Sequence, residues 1–318
     1  VPAPRAPLVI VNPIAGNGRA HNLAPKIEAW LAQRGMNARL METRERGHAE
    51  RLAAAAGGLG HDRVVAVGGD GTIQEVVNGV LADGQLSPDQ RLSIGLVPAG
   101  SGNDLVRDLA LPIDPIGALP AAFGDEERPI DVAVAEDAQG RIRHFVAAGG
   151  VGFDAQVAHV MFRHRMPWQK GRVGYFVSTF IELMRFRNRR LQLLLRNDDG
   201  DVLTDRIALL VAFANGPYLA GGMQICPDAD LADGLLDLCV AGDLSRLEAL
   251  RLLPGMYKGA HVGHPKVEFL RVRSVQFEGD PDARVHLDGE PFGSIPLTVS
   301  VLPLALRVAI GQSGTVPV

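Results

Sequence analysis

The sequence predicts two domains: an N-terminal α/β domain on a parallel sheet, then a domain that is mainly antiparallel β. Three observations carry this prediction. Up to about residue 110, short runs of strand formers alternate with helical patterns, as in a parallel sheet covered on both faces. From about Pro129 the strand-like runs crowd together and helical patterns become rare. Finally, a chain of 318 residues, 47% hydrophobic and 21% charged, is longer than one typical core requires.

The elements of the first part follow from residue type. Residues 8–11, Leu-Val-Ile-Val, are strand formers stopped by Asn12-Pro13, and a helical pattern runs from about Arg19 to Arg34. Strands are expected at 38–41, 63–67 and 94–97, with helices at 47–56, 72–81 and 104–110. Glycine-rich segments fall after Val11, Val67 and Val97, at the carboxyl ends of strands, where open α/β sheets bind ligands. In the second part, strands are expected at 130–135, 142–147, 191–196, 207–214, 235–240, 267–277, 283–287 and 297–301. Asn197-Asp198-Asp199-Gly200 is a hairpin-turn signal between two of them. Helical patterns interrupt at about 172–185 and 245–257.

Composition removes several classes of function. A formal net charge of −4 lacks the basic excess of a nucleic-acid-binding domain, and aromatic residues are only 5% of the chain. Cys226 and Cys239 have no CxxC spacing and read as free thiols of a reducing compartment. No apolar run approaches the ~18 residues that a membrane span needs, and the lead-in Val1 to Pro7 has no signal-peptide core. The expected location is therefore cytoplasmic, with peripheral contact at the inner membrane face.

The strongest chemical signal is Val67-Gly68-Gly69-Asp70-Gly71-Thr72, between a strand and a helix. Glycines let a phosphate approach backbone amides, and the helix N-terminus adds partial positive charge. Thr72 is a candidate cap. Asp70 would repel phosphate oxygens, so its place there makes sense if it holds Mg²⁺ or positions an attacking hydroxyl. The plain alternative is a turn in which Asp70 caps locally. Asn12-Pro13-Ile14-Ala15-Gly16-Asn17-Gly18 and Pro98-Ala99-Gly100-Ser101-Gly102-Asn103-Asp104 have the same design. Three such loops on strand ends form a phosphate-binding rim.

Other nucleotide and hydrolase patterns are absent from the sequence. It contains no GxxxxGK[ST], no third glycine at Rossmann spacing in the first loop, no HExxH and no GxSxG. Asp288 and Glu290 lie two apart, which on a strand would put them on one face, although Gly289 suggests a turn. A carboxylate in reach of a hydroxyl is the proton acceptor that phosphoryl transfer needs; a solvated hairpin is the other reading. His286 adjoins this segment and reads as a packed or solvated histidine. Asp230 and Asp233 sit in an Asp/Gly-rich loop that offers Mg²⁺ oxygen ligands, or is an ordinary surface loop.

At this point the motifs resemble a known family. Asn-Pro-x-x-Gly-x-Gly at 12–18, Gly-Gly-Asp-Gly-Thr-x-x-Glu at 68–75 and Pro-x-Gly-Ser-x-Asn-Asp at 98–104 occur in its order. Asp-Gly-Leu-Leu-Asp-Leu at 233–238 and Leu-Asp-Gly-Glu-Pro at 287–291 follow. The chain resembles the diacylglycerol kinase catalytic family, which includes sphingosine kinases and soluble bacterial lipid kinases. The resemblance implies an NAD kinase/diacylglycerol kinase-like α/β nucleotide domain at 1–129, a strand near 306–310 returning to it within 304–318, and a lipid-substrate domain at 130–303. It implies ATP and Mg²⁺ as cofactors, with ATP and substrate meeting in the cleft between domains.

Carried over position by position, nucleotide contacts would fall on Asn12, Pro13, Ile14, Ala15, Gly16 and Thr43. Others would be Gly69, Asp70, Gly71, Thr72, Ile73, Gln74, Glu75 and Ser101. Glu290 and Asp288 would be catalytic with Asp70, Glu290 being the position usually cast as proton acceptor. A structural Mg²⁺ would sit on Asp230, Asp233 and the carbonyl of Leu235. Ala15, Gln74 and Ser101 stand where Ser, Asn and Thr are frequent in the family, so a contact at Ala15 has to be through backbone.

The implied reaction is transfer of the γ-phosphate of ATP to a hydroxyl of a lipid, diacylglycerol-like or sphingoid-like. Two alternatives stay open: an NAD kinase or phosphofructokinase-type enzyme acting on a soluble substrate, or an inactive nucleotide- or lipid-binding regulator. Between Met161 and Arg190 eight Arg and Lys residues stand against Glu182, interleaved with Phe162, Trp168, Tyr175, Phe176, Phe180 and Phe186. This mixture suits transient membrane-surface contact; the bland reading is a core helix with solvated arginines. The expected partners are a lipid substrate and no nucleic acid, with a homodimer left open.

Overall fold

The structure is a computed structural model that describes residues 6–82, 91–163 and 171–311. Its chain divides into two compact units, residues 1–132 with 303–318, and residues 133–302.

The first unit is built on β1 (Leu8–Val11), β2 (Arg39–Glu42), β3 (Arg63–Gly68) and β4 (Ser93–Pro98). The order is β2-β1-β3-β4, all parallel, and the end of β18 (Leu297–Gly311) joins β4 in parallel through Val308 and Ile94. The helices are α1 (Ala24–Gln33), α2 (His48–Ala56), α3 (Asp70–Val80), α4 (Asp104–Asp108) and α5 (Leu119–Ala122). β1, β3 and β4 are buried almost throughout because both faces are covered, which is why they read as unbroken apolar runs. On one face Val9, Val11, Val65 and Val67 pack with Ile27 and Leu31 of α1 and Leu119 of α5. The chain leaves β1 to one side for β2 and returns on the other side for β3, so a topological switch point lies between β1 and β3.

Several boundaries differ from those the sequence predicts. The expected helix 19–34 is a 3-10 turn at Arg19–Asn22 followed by α1, with Pro25 in the first turn of the α-helix where its missing N–H costs nothing. The helix α3 starts at Asp70 rather than Thr72. Its N-cap is Gly69, without a side-chain cap bond, so Thr72 is not the cap.

In the second unit the strands are β6 (Ile142–Phe145), β7 (Ala148–Gly152), β8 (Arg189–Asn197), β9 (Gly200–Ala208), β10 (Leu210–Ala214), β11 (Tyr218–Leu219) and β12 (Met223–Gln224). They continue with β13 (Leu236–Ala241), β14 (Val267–Val272), β15 (Ser274–Gly279), β16 (Arg284–Leu287) and β17 (Glu290–Ser294). The strand β5 (Glu126–Asp137) enters this unit and pairs with β6. One antiparallel sheet has the order β14-β13-β10-β7-β16-β17; a second contains β9, β8, β15 and the start of β18. Period-two alternation decides what each face meets. Leu236, Leu238 and Val240 of β13 and Val211 and Phe213 of β10 face a core shared with Leu191, Leu193, Val275 and Phe277 of the second sheet. The alternate residues Cys239, Ala241, Ala212 and Ala214 are small and pack in a separate cluster with Phe153, Val157 and Leu183.

That second cluster is roofed by α6 (Phe153–Arg163), α7 (Gly171–Arg185) and α8 (Arg246–Leu252). Neither α6 nor β7 is among the elements predicted from sequence. The strand β7 is Ala-Gly-Gly-Val-Gly, whose glycines mask a central strand buried on both faces. The run predicted as one strand at 267–277 is β14 and β15, which belong to different sheets, and 207–214 is the end of β9 plus β10. The two expected strands at 297–301 and 306–310 are one long β18. The helical pattern at 245–257 becomes α8 and then a 3-10 turn at Leu253–Lys258, because Pro254 cannot continue an α-helix. The turn after Asn197 is the two-residue hairpin that its sequence implies, with Asn197 paired to Gly200.

Candidate functional site

In the first unit the three glycine-rich loops are fastened to each other. Asn12 Nδ2 donates to Thr72 Oγ1 at 2.9 Å, tying the first loop to the second. The backbone N–H of Ala99 donates to the Gly68 carbonyl at 2.7 Å. Asp70 completes the assembly: Oδ2 accepts the Asn103 N–H and Oδ1 the Asp104 N–H, both at 2.8 Å. Because Asp104 opens α4, Asp70 caps that helix from outside and fixes the 98–104 loop. Arg19 closes the ring with a bond from Nε to the Gly16 carbonyl at 3.0 Å and a longer one from Nη2 to the Gly100 carbonyl at 3.5 Å. Loops two and three touch so closely that a Cβ on Gly100 would lie 2.5 Å from the Cα of Gly69.

Glu75 also serves the backbone. Its two carboxylate oxygens accept the N–H groups of Gly47 (2.8 Å) and Ala49 (3.1 Å), at the start of α2. Thr72, Ile73 and Gln74 are buried in α3, so their side chains are turned away from a ligand above the helix N-terminus. Thr43 continues the rim through its N–H, bonded to the Val11 carbonyl at 2.8 Å. Ile14 and Ser101 are exposed at the loop tips. Pro13, Ala15, Gly16, Gly69 and Gly71 are half-buried beside them. Thr72 and Ile73 donate to the Gly69 carbonyl, which leaves the Asp70 and Gly71 amides as the helix-start donors without an intrahelical acceptor. Such a rim suits an anion held by backbone amides.

The second unit contributes a hairpin. Leu287 of β16 pairs with Glu290 of β17, and between them Asp288 and Gly289 both have positive φ (48° and 80°), as a two-residue type I′ turn requires. Asp288 and Glu290 therefore do not share a strand face: one is the turn and the other opens the next strand. The Asp288 carboxylate accepts three backbone N–H groups, from Val146 at 3.2 Å and from Ala147 and Ala148 at 3.1 Å. It secures the hairpin to the start of β7 and leaves Glu290, half-buried, at a fixed place beside it.

The histidine that the sequence analysis reads as packed or solvated completes this corner, with an acid that it does not name, Asp154. His286 is 2% exposed; its Nδ1 accepts the Gly289 N–H at 3.2 Å, so Nε2 carries the proton and donates to Asp154 Oδ2 at 3.2 Å. Asp154 stands in the first turn of α6. A Cβ on Gly150 would fall 1.8 Å from its Oδ2, so only glycine admits that carboxylate. The signal available in the sequence was Gly149-Gly150-Val151-Gly152 just before an acid at a strand-to-helix junction, the same design as the three loops of the first unit.

Asp154 also lines a pocket of about 790 Å³, including the space at its mouth, between the small-residue face of the first sheet and α6, α7 and α8. Its walls are mostly apolar, among them Phe153, Val157, Leu210, Met223, Leu252 and Met256. Cys239 lines it too, a free thiol pushed up to about 12 by burial and then by the Asp154 charge. Cys226 is buried and free nearby, its thiol raised well above the usual value by burial.

In the acidic loop, Asp230 Oδ1 accepts the Ala232 N–H and Asp233 Oδ1 the Leu235 N–H, each at 3.0 Å. Arg271 stands against the loop, 3.7 Å from Asp233 Oδ2, and donates to Asp237 Oδ1 at 3.1 Å and to the Asp228 carbonyl at 2.7 Å. Its guanidinium is raised by the Asp237 hydrogen bond and charge. Burial raises the Asp237 carboxyl against the lowering effect of Arg271, with the Asp233 and Asp228 charges adding to the rise. Among the described residues no three His, Cys, Asp or Glu side chains gather as a metal site. The expected set of two carboxylates and the Leu235 carbonyl is all-oxygen, which fits Mg²⁺, with Arg271 as a cation already sharing Asp233.

Arg165, Trp168 and Lys170 lie outside the described residues, as do the side chains of Arg163, Arg172, Tyr175 and Phe176. The rest of α7 is two-sided. Ser178, Thr179 and Leu183 are buried, whereas Val177, Phe180, Ile181 and Met184 form an exposed apolar stripe, flanked by exposed Arg185, Arg187 and Arg190. Among the described residues no helix is long and apolar enough to cross a membrane.

Comparison with known proteins gives the family. Residues 6–135 match the diacylglycerol kinase catalytic domain, and residues 147–310 match the YegS C-terminal NAD kinase beta sandwich-like domain. A diacylglycerol kinase of Mycobacterium tuberculosis is 33% identical over 306 residues, covering 96% of this chain and 95% of its own. A YegS-like lipid kinase of Chromohalobacter salexigens is 30% identical over 301 residues, covering 89% and 93%. A crystal structure of a diacylglycerol kinase from Bacillus anthracis superposes with a TM-score of 0.70 over 96% of this chain and 97% of that one, at 22% identity, and shares the fold.

Proposed function

The chain belongs to the diacylglycerol kinase family of lipid kinases, phosphotransferases with an alcohol acceptor that use ATP, and on that premise we propose its acceptor and the roles of its residues. The acceptor is a lipid hydroxyl whose chain occupies the pocket beneath α6, α7 and α8. The observation that carries this is the pocket itself: an apolar cavity of acyl-chain character with a carboxylate, Asp154, hydrogen-bonded through His286 to the turn that precedes Glu290.

In this reading the triphosphate of ATP lies on the amide rim of the first unit, and Glu290 accepts the proton of the lipid hydroxyl as its oxygen attacks the γ-phosphorus, whose bond to the β,γ-bridging oxygen breaks to release ADP. Asp288 and Asp70 act as positioning residues, one for the hairpin and one for the phosphate loop. Phosphoryl transfer depends chiefly on placement and on charge neutralisation, so residues that fix backbone are part of the machinery. Mg²⁺ would be held by Asp230, Asp233 and the Leu235 carbonyl, where it would order the loop that leads into β13. The apolar stripe of α7 with its arginines would rest on an anionic bilayer from the aqueous side and admit the lipid. The buried free thiols agree with a reducing compartment.

The test is transfer of labelled γ-phosphate from ATP to a panel of lipids in mixed micelles. Labelled lipid that disappears in Glu290→Gln supports the reading; ATP binding with no labelled lipid from any acceptor rejects it. In the same assay Asp233→Ala is expected to shift the Mg²⁺ requirement, and an unchanged Mg²⁺ titration removes the loop from metal binding. Phe180→Asp should reduce sedimentation with anionic vesicles, while activity on short-chain lipid in micelles persists.

A further inference from the structure

Two polar atoms in the pocket of the second unit do not suit a purely hydrocarbon occupant. His261 is 2% exposed, its ring 5.6 Å from that of Phe269, and Nε2 lies 3.0 Å from the Ile225 carbonyl oxygen. A carbonyl only accepts, so Nε2 carries a proton, and in the neutral tautomer that this bond selects Nδ1 is a bare acceptor. Thr179, 3% exposed on the buried side of α7, lines the same pocket. Neither His261 Nδ1 nor Thr179 Oγ1 has a hydrogen-bond partner among the described residues. Buried polar atoms left unpaired are unfavourable, and a saturated chain packed against them would make that permanent.

We propose that this pocket selects a lipid whose buried portion carries a hydrogen-bond donor, a hydroxyl or a secondary amide, in addition to the hydroxyl that is phosphorylated. The inference rests on the lipid-kinase reading above and narrows its acceptor. Apart from its one free hydroxyl, a diacylglycerol offers only ester oxygens. These accept from the Thr179 hydroxyl but give His261 Nδ1 nothing. A second hydroxyl can satisfy either atom, by donating to Nδ1 or by accepting from Thr179. An amide N–H satisfies Nδ1. The discrimination follows from the site: one built around a hydrogen bond to the substrate penalises an analogue that lacks it more than an apolar pocket penalises a missing methylene.

The experiment compares two acceptors of similar chain length in mixed micelles, with the full chain, ATP and Mg²⁺: 1-palmitoyl-2-octanoylglycerol and N-octanoyl-sphingosine. The expected result is kcat/KM at least about tenfold higher for the amide lipid. In Thr179→Val, which keeps the side-chain shape, and in His261→Phe, that preference should fall below about threefold. His261→Phe also strips the Ile225 carbonyl of its donor, so Thr179→Val carries the test if the histidine variant does not fold. Equal or better use of the diester by the native chain overturns the proposal and leaves the lipid-kinase reading standing. So does a preference that both folded variants keep. Failure to label either lipid removes both.

Discussion

The two units hold their sites with the same residue type used in opposite ways. In the first, acidic side chains serve the backbone: Asp70 caps the 98–104 loop and Glu75 caps α2, so the ligand-facing surface is made of amides. In the second, Asp288 is likewise spent on three amides, and it holds the hairpin that carries another acid, Glu290, the proposed proton acceptor. A polyanion calls for donors, and a carboxylate facing it would repel; a hydroxyl to be deprotonated calls for an acceptor. The difference teaches that an acid within a motif is not thereby a reacting group. Where its oxygens point decides that.

The largest effects should come from exchanging the two uses. Asp70→Ala is expected to abolish detectable turnover and weaken ATP binding together, because two charge-assisted hydrogen bonds that hold the phosphate loop are lost. Glu290→Gln should lower kcat by about 10²–10⁴-fold, the range of a lost general base, with ATP affinity unchanged. Nucleotide titration of both variants separates them, and equal ATP affinity in Asp70→Ala would break the contrast between the units.

Asp288→Ala should show chiefly in stability. Removing three bonds to buried amides is expected to cost about 3 kcal/mol in chemical denaturation, with kcat falling as the hairpin loosens. A variant of native stability that still lost turnover would move Asp288 from holding the hairpin to the chemistry.

The smallest effect concerns an acid used in a third way. Glu127 pairs with Arg63 at 2.9 Å and Arg307 at 3.3 Å. Burial tends to raise its carboxyl, but hydrogen bonds from Ser93 and Arg63, with the charges of Arg307 and Arg63, bring it below its ordinary 4.5. Because the folded value is depressed, its stabilising contribution is complete above about 4.5 and is lost as pH falls through the lowered value. Arg63→Gln should therefore be less stable near neutrality by on the order of 1 kcal/mol, with solvent screening allowed for. The gap to the native chain should narrow below pH 4.5, as thermal melts across the acid range will show. A gap independent of pH would mean that Arg63 acts through packing and its bonds to Ser93 and the Gly124 carbonyl rather than through Glu127.

Much of this was legible in the chain itself. Apolar runs at 8–11, 63–67 and 94–97 are strands because a sheet covered on both faces leaves no solvent side to pattern, and the glycine loops fall at their ends. The motif order places the chain in its family, and the Asn197 to Gly200 hairpin reads directly as a turn. What could not be read depends on contacts far apart in sequence. That Asp70 bonds to residues 103 and 104, that Asp288 bonds to residues 146–148, and that His286 joins Asp154 to Gly289 are facts of folding. Local pattern carries secondary structure because backbone geometry repeats over a few residues. It says nothing of which distant amide a carboxylate meets. The pocket is the same case: its small residues on β10 and β13 look like ordinary core until α6, α7 and α8 are laid across them. The sequence by itself determined the fold class, the order of the loops and the family; the tertiary structure alone decided which acids hold backbone. The physical reason is that hydrogen-bond partners separated by 33 to 142 residues are set by packing, which no local periodicity records.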